Sequence, residues 1–170
     1  DPIMSRGGLD WMRWSLYGDT AARDRLAGDA ASSLTRWEFV GDDIPSTATY
    51  TLVAQHSGKC ADIASISTAP GARLQQWAST GGLNQQFQFI DTGDGHVRIV
   101  ARHSGLVLQV ANNSDGTDVT QGANTGAANQ QWRVADHGGG VVSLINRQSG
   151  KAMDVWARST AWPGTDSRSR

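Results

Sequence analysis

Residues 50–63, YTLVAQHSGKCADI, decide the fold because the same pattern returns twice along the chain. The second copy is HVRIVARHSGLVLQV at 96–110, and the third is VVSLINRQSGKAMDV at 141–155. Each copy alternates apolar and polar residues, turns at a Ser-Gly pair and then alternates again, which is the pattern of a β-hairpin. A repeat of this kind predicts a fold built from three similar units.

The interval between the copies is regular. The turn glycines Gly58, Gly105 and Gly150 lie 47 and then 45 positions apart. Another aromatic strand precedes each copy, and its first aromatic residues are Trp37, Phe87 and Trp132. We expect these three rings in the core rather than in a binding site, because a buried ring removes a large apolar area from water.

The composition limits the class of protein. The 170 residues include 20 glycines and seven tryptophans, which favours a turn-rich all-β fold. With 15 basic and 16 acidic residues the net charge is -1, so nothing in the charge favours nucleic acid or an anionic membrane as a partner. The single cysteine, Cys60, excludes both an internal disulfide and a cysteine-rich zinc site. We expect a buried free thiol there, and no cofactor or metal.

The repeats set the predicted domain organisation. One hairpin cannot bury its own apolar face, whereas three of them around a shared axis can do so and also remove exposed sheet edges. We therefore predict a β domain over residues 34–170, with repeats at about 34–83, 84–128 and 129–170. Residues 1–33 are predicted as an N-terminal helical segment, because Leu9, Met12 and Leu16 follow a helical spacing.

These motifs together resemble a known family. The Ser-Gly turn, the CADI and AMDV strands, the LQQW strand and the NQQF and NQQW segments are similar to those of the ricin-type β-trefoil, that is, the R-type lectins and the family 13 carbohydrate-binding modules. The resemblance covers roughly residues 34–160. It implies a barrel of six two-stranded hairpins with up to three sugar sites, one for each repeat.

The resemblance implies one complete sugar site, in the first repeat. Its residues are Asp62, Gln75, Trp77, Asn84 and Gln85. A shallow sugar site needs a carboxylate that accepts hydrogen bonds from two hydroxyl groups, amides that donate and accept, and an aromatic face. Two other interpretations stay open from the residues alone: Asp62 as a turn cap, and Trp77 as a packing residue.

The second repeat departs from this pattern. An offset of 47 residues places Gln109 at the position of Asp62, and an offset of 45 places Thr120 at that of Gln75 and Gly122 at that of Trp77. The carboxylate and the ring are both lost, so we predict a silent site.

The third repeat keeps only part of the pattern. Asp154 is retained, and Trp156 or Trp162 would be the ring of a weak second site. The LQQW equivalent falls on GTDS at 164–167, which has no strand signal, so we predict an incomplete third repeat. The strand RWEFV at 36–40 would then complete the barrel in a permuted order, and a second copy of the chain would fill the remaining gap.

The predicted function is carbohydrate binding without catalysis. The only glutamate, Glu38, lies in a predicted core strand, so a glutamate pair for glycoside hydrolysis is absent. Residues 1–33 resemble the last helix of secreted α/β-hydrolases of the esterase type. We expect a secreted, extracellular module of a polysaccharide-active or esterase-type enzyme that binds a galactose- or xylose-type glycan. The alternative is a structural or self-assembling β-trefoil that binds no sugar.

Overall fold

The computed structural model describes residues 14–18, 49–155 and 167–169. These residues form twelve β-strands and three short 3₁₀ turns, all of the strand pairs being antiparallel. The strands are β1 Trp14–Gly18, β2 Thr49–Ala54, β3 Cys60–Ile63, β4 Leu74–Trp77, β5 Phe87–Asp91, β6 Val97–Ala101, β7 Val107–Val110, β8 Thr117–Gly122, β9 Trp132–Asp136, β10 Val141–Asn146, β11 Met153–Val155 and β12 Ser167–Ser169. They join in one continuous sheet.

The three predicted hairpins are present, and their turns are equivalent. Gly58, Gly105 and Gly150 have φ values of 69°, 72° and 68°, a left-handed conformation that glycine adopts without strain. The amide of each glycine donates to a carbonyl four residues earlier, over 2.8, 2.8 and 2.9 Å respectively. The Ser-Gly motif therefore specifies one turn geometry three times.

The strand register has threefold symmetry. The equivalent pairs that close the three units are Tyr50 with Phe87, Val97 with Trp132, and Val142 with Trp14. Strand β1 pairs with both β2 and β10, as β5 pairs with β2 and β6. Trp14 thus holds the register position that the sequence assigned to Trp37, which lies outside the described residues together with RWEFV.

This register corrects the predicted N-terminal helix over Trp14–Gly18. Those five residues form a strand, because the edges of β2 and β10 offer backbone partners on both sides. Such pairing outweighs the local helical spacing of apolar residues. The rest of the predicted segment 1–33 lies outside the described residues.

Strand β12 corrects the prediction that the third repeat is incomplete. Ser167–Ser169 pairs with β11 on one side and β8 on the other, so this repeat has the strand that it was expected to lack. Strand β12 of the same chain therefore fills the gap for which a second copy of the chain was predicted. Ser-Arg-Ser has no apolar signal in the sequence, and the strand is defined by its backbone pairing with two neighbours.

The core lies between the three units. Phe87 and Trp132 are fully buried, as predicted, and the indole Nε1 of Trp132 donates to the carbonyl of Leu108 over 3.0 Å. The rings of Tyr50 and Phe89 meet at 5.2 Å between centroids. Cys60 is fully buried as a free thiol, which confirms that prediction.

Candidate functional site

The site in the first repeat is built on the hairpin of β3 and β4. Asp62 and Gln75 are opposed in the register, and Nε2 of Gln75 donates to Oδ1 of Asp62 over 3.0 Å. Asp62 is only 5% exposed. A carboxylate this deeply buried requires hydrogen-bond donors, because removing an unpaired charge from water is very costly.

Two more amides come from the 3₁₀ turn Leu83–Gln85. Nδ2 of Asn84 and Nε2 of Gln85 both donate to Oδ2 of Asp62, over 3.0 and 2.9 Å. Three amides therefore donate hydrogen bonds to the two oxygens of one carboxylate. This arrangement brings together Asp62, Gln75, Asn84 and Gln85, which the sequence placed in one site.

The same amides also fasten the surrounding chain. Nε2 of Gln85 donates to the carbonyl of Ala78 over 2.9 Å, and Oε1 of Gln85 accepts from the amide of Thr80 at the same distance. Nδ2 of Asn84 also donates to the carbonyl of Ile63 over 3.2 Å. Both polar side-chain atoms of Gln85 therefore make hydrogen bonds within the protein. By contrast, Oδ1 of Asn84 accepts no hydrogen bond from any described residue.

Trp77 completes the set on β4. It lies two residues beyond Gln75, so the two side chains leave the strand on the same face. Trp77 is partly exposed, whereas its register partner Cys60 is fully buried. Trp77 therefore adds a partly exposed aromatic ring to the strand that carries Gln75.

The second repeat reproduces the frame of this site with different residues. Nε2 of Gln130 donates to Oε1 of Gln109 over 2.9 Å and to the carbonyl of Ala123 over 2.7 Å, as Gln85 does with Asp62 and Ala78. The Gln109 side chain lies across Gly122, where a Cβ would be 2.4 Å from Oε1. An amide therefore occupies the space that the carboxylate and the ring occupy in the first repeat.

Asp154 is the one predicted site residue of the third repeat that lies within the described residues. Asp154 is 1% exposed on β11 and stands opposite Arg168 of β12. Where the first two repeats have Asn-Gln-Gln before a strand, the sequence before Trp14 reads Trp-Met-Arg. Trp156 and Trp162, the predicted rings of this site, lie outside the described residues.

The loop at 64–69 in the first repeat has a backbone conformation that the sequence did not predict. The loop at 64–69 has Ser65 and Ile66 at positive φ, 58° and 55°. No glycine marks these positions, so the sequence carries no signal of a left-handed turn. Ile66 is 66% exposed although it is apolar.

Within the described residues, no helix has the length and apolar character to span a membrane. The same ranges contain no group of three or more His, Cys, Asp or Glu side chains arranged to hold a metal ion.

The sequence and the fold are both similar to those of known proteins. A family model described as a ricin-type β-trefoil lectin domain-like matches residues 35–122 and 112–168. No curated protein sequence gives a significant match.

Among solved structures, the designed threefold-symmetric protein ThreeFoil is 46% identical, with a TM-score of 0.69 over 71% of this chain and 87% of that one. An exo-β-1,3-galactanase from Clostridium thermocellum is 35% identical, with a TM-score of 0.70. The match covers 75% of this chain but 28% of the galactanase. A ricin B-like lectin from Macrolepiota procera, in complex with lactose, is 19% identical, covers 75% and 88%, and has a TM-score of 0.64. These matches confirm the predicted β-trefoil fold.

Proposed function

Because the chain belongs to the family of ricin-type β-trefoil lectin-like domains, we propose that it binds a sugar through the residues gathered around Asp62. The observation that carries the proposal is the buried carboxylate with three amide donors, set two strand positions from a partly exposed indole. Carbohydrate binding, rather than catalysis, suits this arrangement because the described residues that donate to the Asp62 carboxylate are all amides and include no second acid or base.

The way in which the site would bind a sugar follows from the hydrogen-bond acceptors that these groups have left. Oδ1 of Asp62 accepts one amide hydrogen bond and has a second lone pair left, so it can accept from a sugar hydroxyl, whereas both lone pairs of Oδ2 are used by Asn84 and Gln85. Oδ1 of Asn84 can accept from a second hydroxyl. The Trp77 indole packs against the C–H face of the sugar ring, which selects the face that the ring presents. The amides fix the carboxylate before the sugar arrives, and this limits the entropy lost on binding.

We assign one competent site to the chain. Gln109 removes the charge from the second repeat, and the third repeat lacks the Asn-Gln pair in sequence. A single shallow site should bind with a dissociation constant on the order of 1 mM, or about 4 kcal/mol. Useful retention on a polysaccharide then needs several copies or tethering to another domain.

The ligand class proposed is a galactose-type glycan. Its support is the galactanase, a relative at 35% identity whose name refers to β-1,3-galactan. The present chain matches only 28% of that enzyme, so the proposed role is that of a non-catalytic module in a larger secreted enzyme, active on a polysaccharide or of the esterase type. An extracellular location belongs to the same proposal, since such polysaccharides lie outside cells.

The test is a titration of the purified chain with galactose, lactose and xylan fragments. Saturable binding that Asp62→Ala and Trp77→Ala both abolish is the expected result. Asp115→Ala is the control, because this carboxylate is exposed, lies outside the first repeat and pairs with Lys151 of the third repeat. Binding to none of the sugars at tens of millimolar by folded protein would exclude the proposal and favour the structural alternative. Preference for xylan fragments would retain the site but change the ligand class.

A further inference from the structure

The loop at 64–69 joins the two strands that carry the sugar-binding carboxylate and its first amide. The ladder of β3 and β4 ends at Ile63 and Leu74, and one more backbone bond runs from the amide of Ala64 to the carbonyl of Arg73 over 3.0 Å. Beyond that point the loop takes its left-handed turn at Ser65 and Ile66. These two are the only non-glycine residues with positive φ in the part of the chain that the structure describes. A strained turn persists only where its surroundings hold it in place.

Two side chains of the second repeat hold this loop. Nε2 of His103 lies 2.7 Å from the carbonyl oxygen of Ser67. A carbonyl oxygen can only accept, so the ring proton is on Nε2. Nε2 of Gln121 donates to the same oxygen over 2.8 Å and to the carbonyl of Ala69 over 2.9 Å. The amide of Gly71 completes the contact with a 2.7 Å hydrogen bond to the Gln121 carbonyl.

Gln121 is a rigid support for the loop. It is fully buried, and its Oε1 accepts from Oγ of Ser104 over 2.8 Å. Its backbone amide also donates to the carbonyl of Ala72 over 2.9 Å. All of its side-chain donors and its acceptor are therefore in use, and a fully satisfied buried network has one preferred arrangement.

A parallel contact links the next pair of repeats. Gln148 holds the position of His103, two residues before the turn glycine, and its Nε2 donates to Oδ1 of Asn113 over 2.9 Å. Lys151 also pairs with Asp115 in that loop. Each of these repeats thus holds the corresponding loop of the repeat before it, but only the loop at 64–69 belongs to a repeat with a complete carboxylate and amide set.

We propose that His103 and Gln121, which lie in the repeat without a complete site, are positioning residues for the sugar site of the first repeat. They act through the loop at 64–69, which fixes the free ends of the strands bearing Asp62 and Gln75, and they do not touch the sugar. This role rests on the proposed function. It also gives the second repeat a purpose in binding although its own site is altered.

The test compares His103→Ala with Gln148→Ala, which removes the matching contact to a loop outside the site. Lactose titrations give the dissociation constants, and hydrogen exchange of the Ser67 and Gly71 amides reports on the loop. Loss of one hydrogen bond in the support should weaken lactose binding about threefold to tenfold in His103→Ala. Exchange should accelerate at 64–71, while Gln148→Ala keeps the wild-type affinity and the wild-type exchange in that loop. His103→Gln should restore both readouts, because a glutamine makes the equivalent contact at 148.

The outcomes separate the two proposals. Wild-type affinity in His103→Ala, with lactose binding intact in the wild type, would overturn the positioning role alone. Equal losses in His103→Ala and Gln148→Ala would overturn it as well, since they would indicate a general loss of structure. No lactose binding by the wild-type protein would overturn this role together with galactose-type binding.

Discussion

Asp62 of β3 and Gln75 of β4 face each other across the hairpin, and 3.0 Å separates Oδ1 of the first from Nε2 of the second. Asp62→Asn would turn one acceptor oxygen into a donor that meets the donors of the surrounding amides. We expect lactose binding to disappear and the free energy of unfolding to fall by about 1–3 kcal/mol, the range for a buried polar group that loses its partner.

Lactose titration and urea denaturation measure the two effects. The matched control is Gln109→Ala in the second repeat, which should leave the lactose dissociation constant unchanged. Full affinity in Asp62→Asn would show that the carboxylate has no part in binding.

A second site can be installed in the second repeat. Gly122→Trp alone should destabilise the protein by about 1 kcal/mol, because its Cβ would meet Oε1 of Gln109 at 2.4 Å and break the bond from Gln130. Combining it with Gln109→Asp and Thr120→Gln removes the clash and copies the site of the first repeat. Asn129 and Gln130 need no change, because they already match Asn84 and Gln85 of that site.

Calorimetric titration with lactose should then give a stoichiometry of two in the triple variant and one in the wild type. A stoichiometry of one in a folded triple variant would mean that these three positions are insufficient.

The exposed Ile66 offers a test of backbone strain. A left-handed conformation costs a non-glycine residue about 1–2 kcal/mol, and glycine avoids this at the expense of about 0.5–1 kcal/mol of unfolded-state entropy. Ile66 is 66% exposed, so its removal loses little packing. We expect Ile66→Gly to stabilise the protein by about 0.5–1 kcal/mol, with Ile66→Asn intermediate. Thermal unfolding measures this order, and lower stability in both variants would show that the turn is unstrained.

The free energy of unfolding should depend on pH through Asp94, which pairs with Arg147 and so links the second and third repeats. A hydrogen bond from the Thr92 hydroxyl, followed by the pairing with Arg147, lowers the pKa of Asp94 from 3.8 to about 2. A carboxyl with a lower pKa in the folded state stabilises that state above its unfolded pKa, and this contribution is lost as the pH falls through the folded pKa.

The difference in unfolding midpoint between the wild type and Asp94→Asn should therefore be constant above about pH 5 and shrink toward pH 2. Salt at 1 M should also reduce it, because the pair with Arg147 is exposed. A difference that stays constant down to pH 2 would contradict this assignment.

The sequence predicted the parts of the fold that local patterns encode. The interval of 45 residues between Gly105 and Gly150 equals the interval between Val97 and Val142, which pair with Trp132 and Trp14 respectively, so the repeat translates directly into strand pairing. The four polar residues of the first site were predicted from the family resemblance, because they stand at the positions of its motif. The structure brings Gln75, Asn84 and Gln85 together on the carboxylate of Asp62, and their part in sugar binding stays a proposal.

The sequence missed what long-range backbone pairing alone specifies. Strand β1 was mistaken for a helix because Leu16 fits a helical spacing, and β12 was missed because Ser167–Ser169 contains no apolar residue. Both strands form between two partners that are far away in sequence. The support of the loop at 64–69 by His103 was missed for the same reason, since no local pattern connects residues of different repeats.

Strand β1 has a consequence for how the chain acquires its structure. It is synthesised before the other described strands, yet one of its two neighbours is β10 at Val141–Asn146, so it must wait until β10 has been synthesised. Closing so long a loop is slow, and an unpaired strand can meet another nascent chain in the meantime. The docking of strand β1 should therefore be a late folding step, and exchange of this strand between two chains would be the characteristic error.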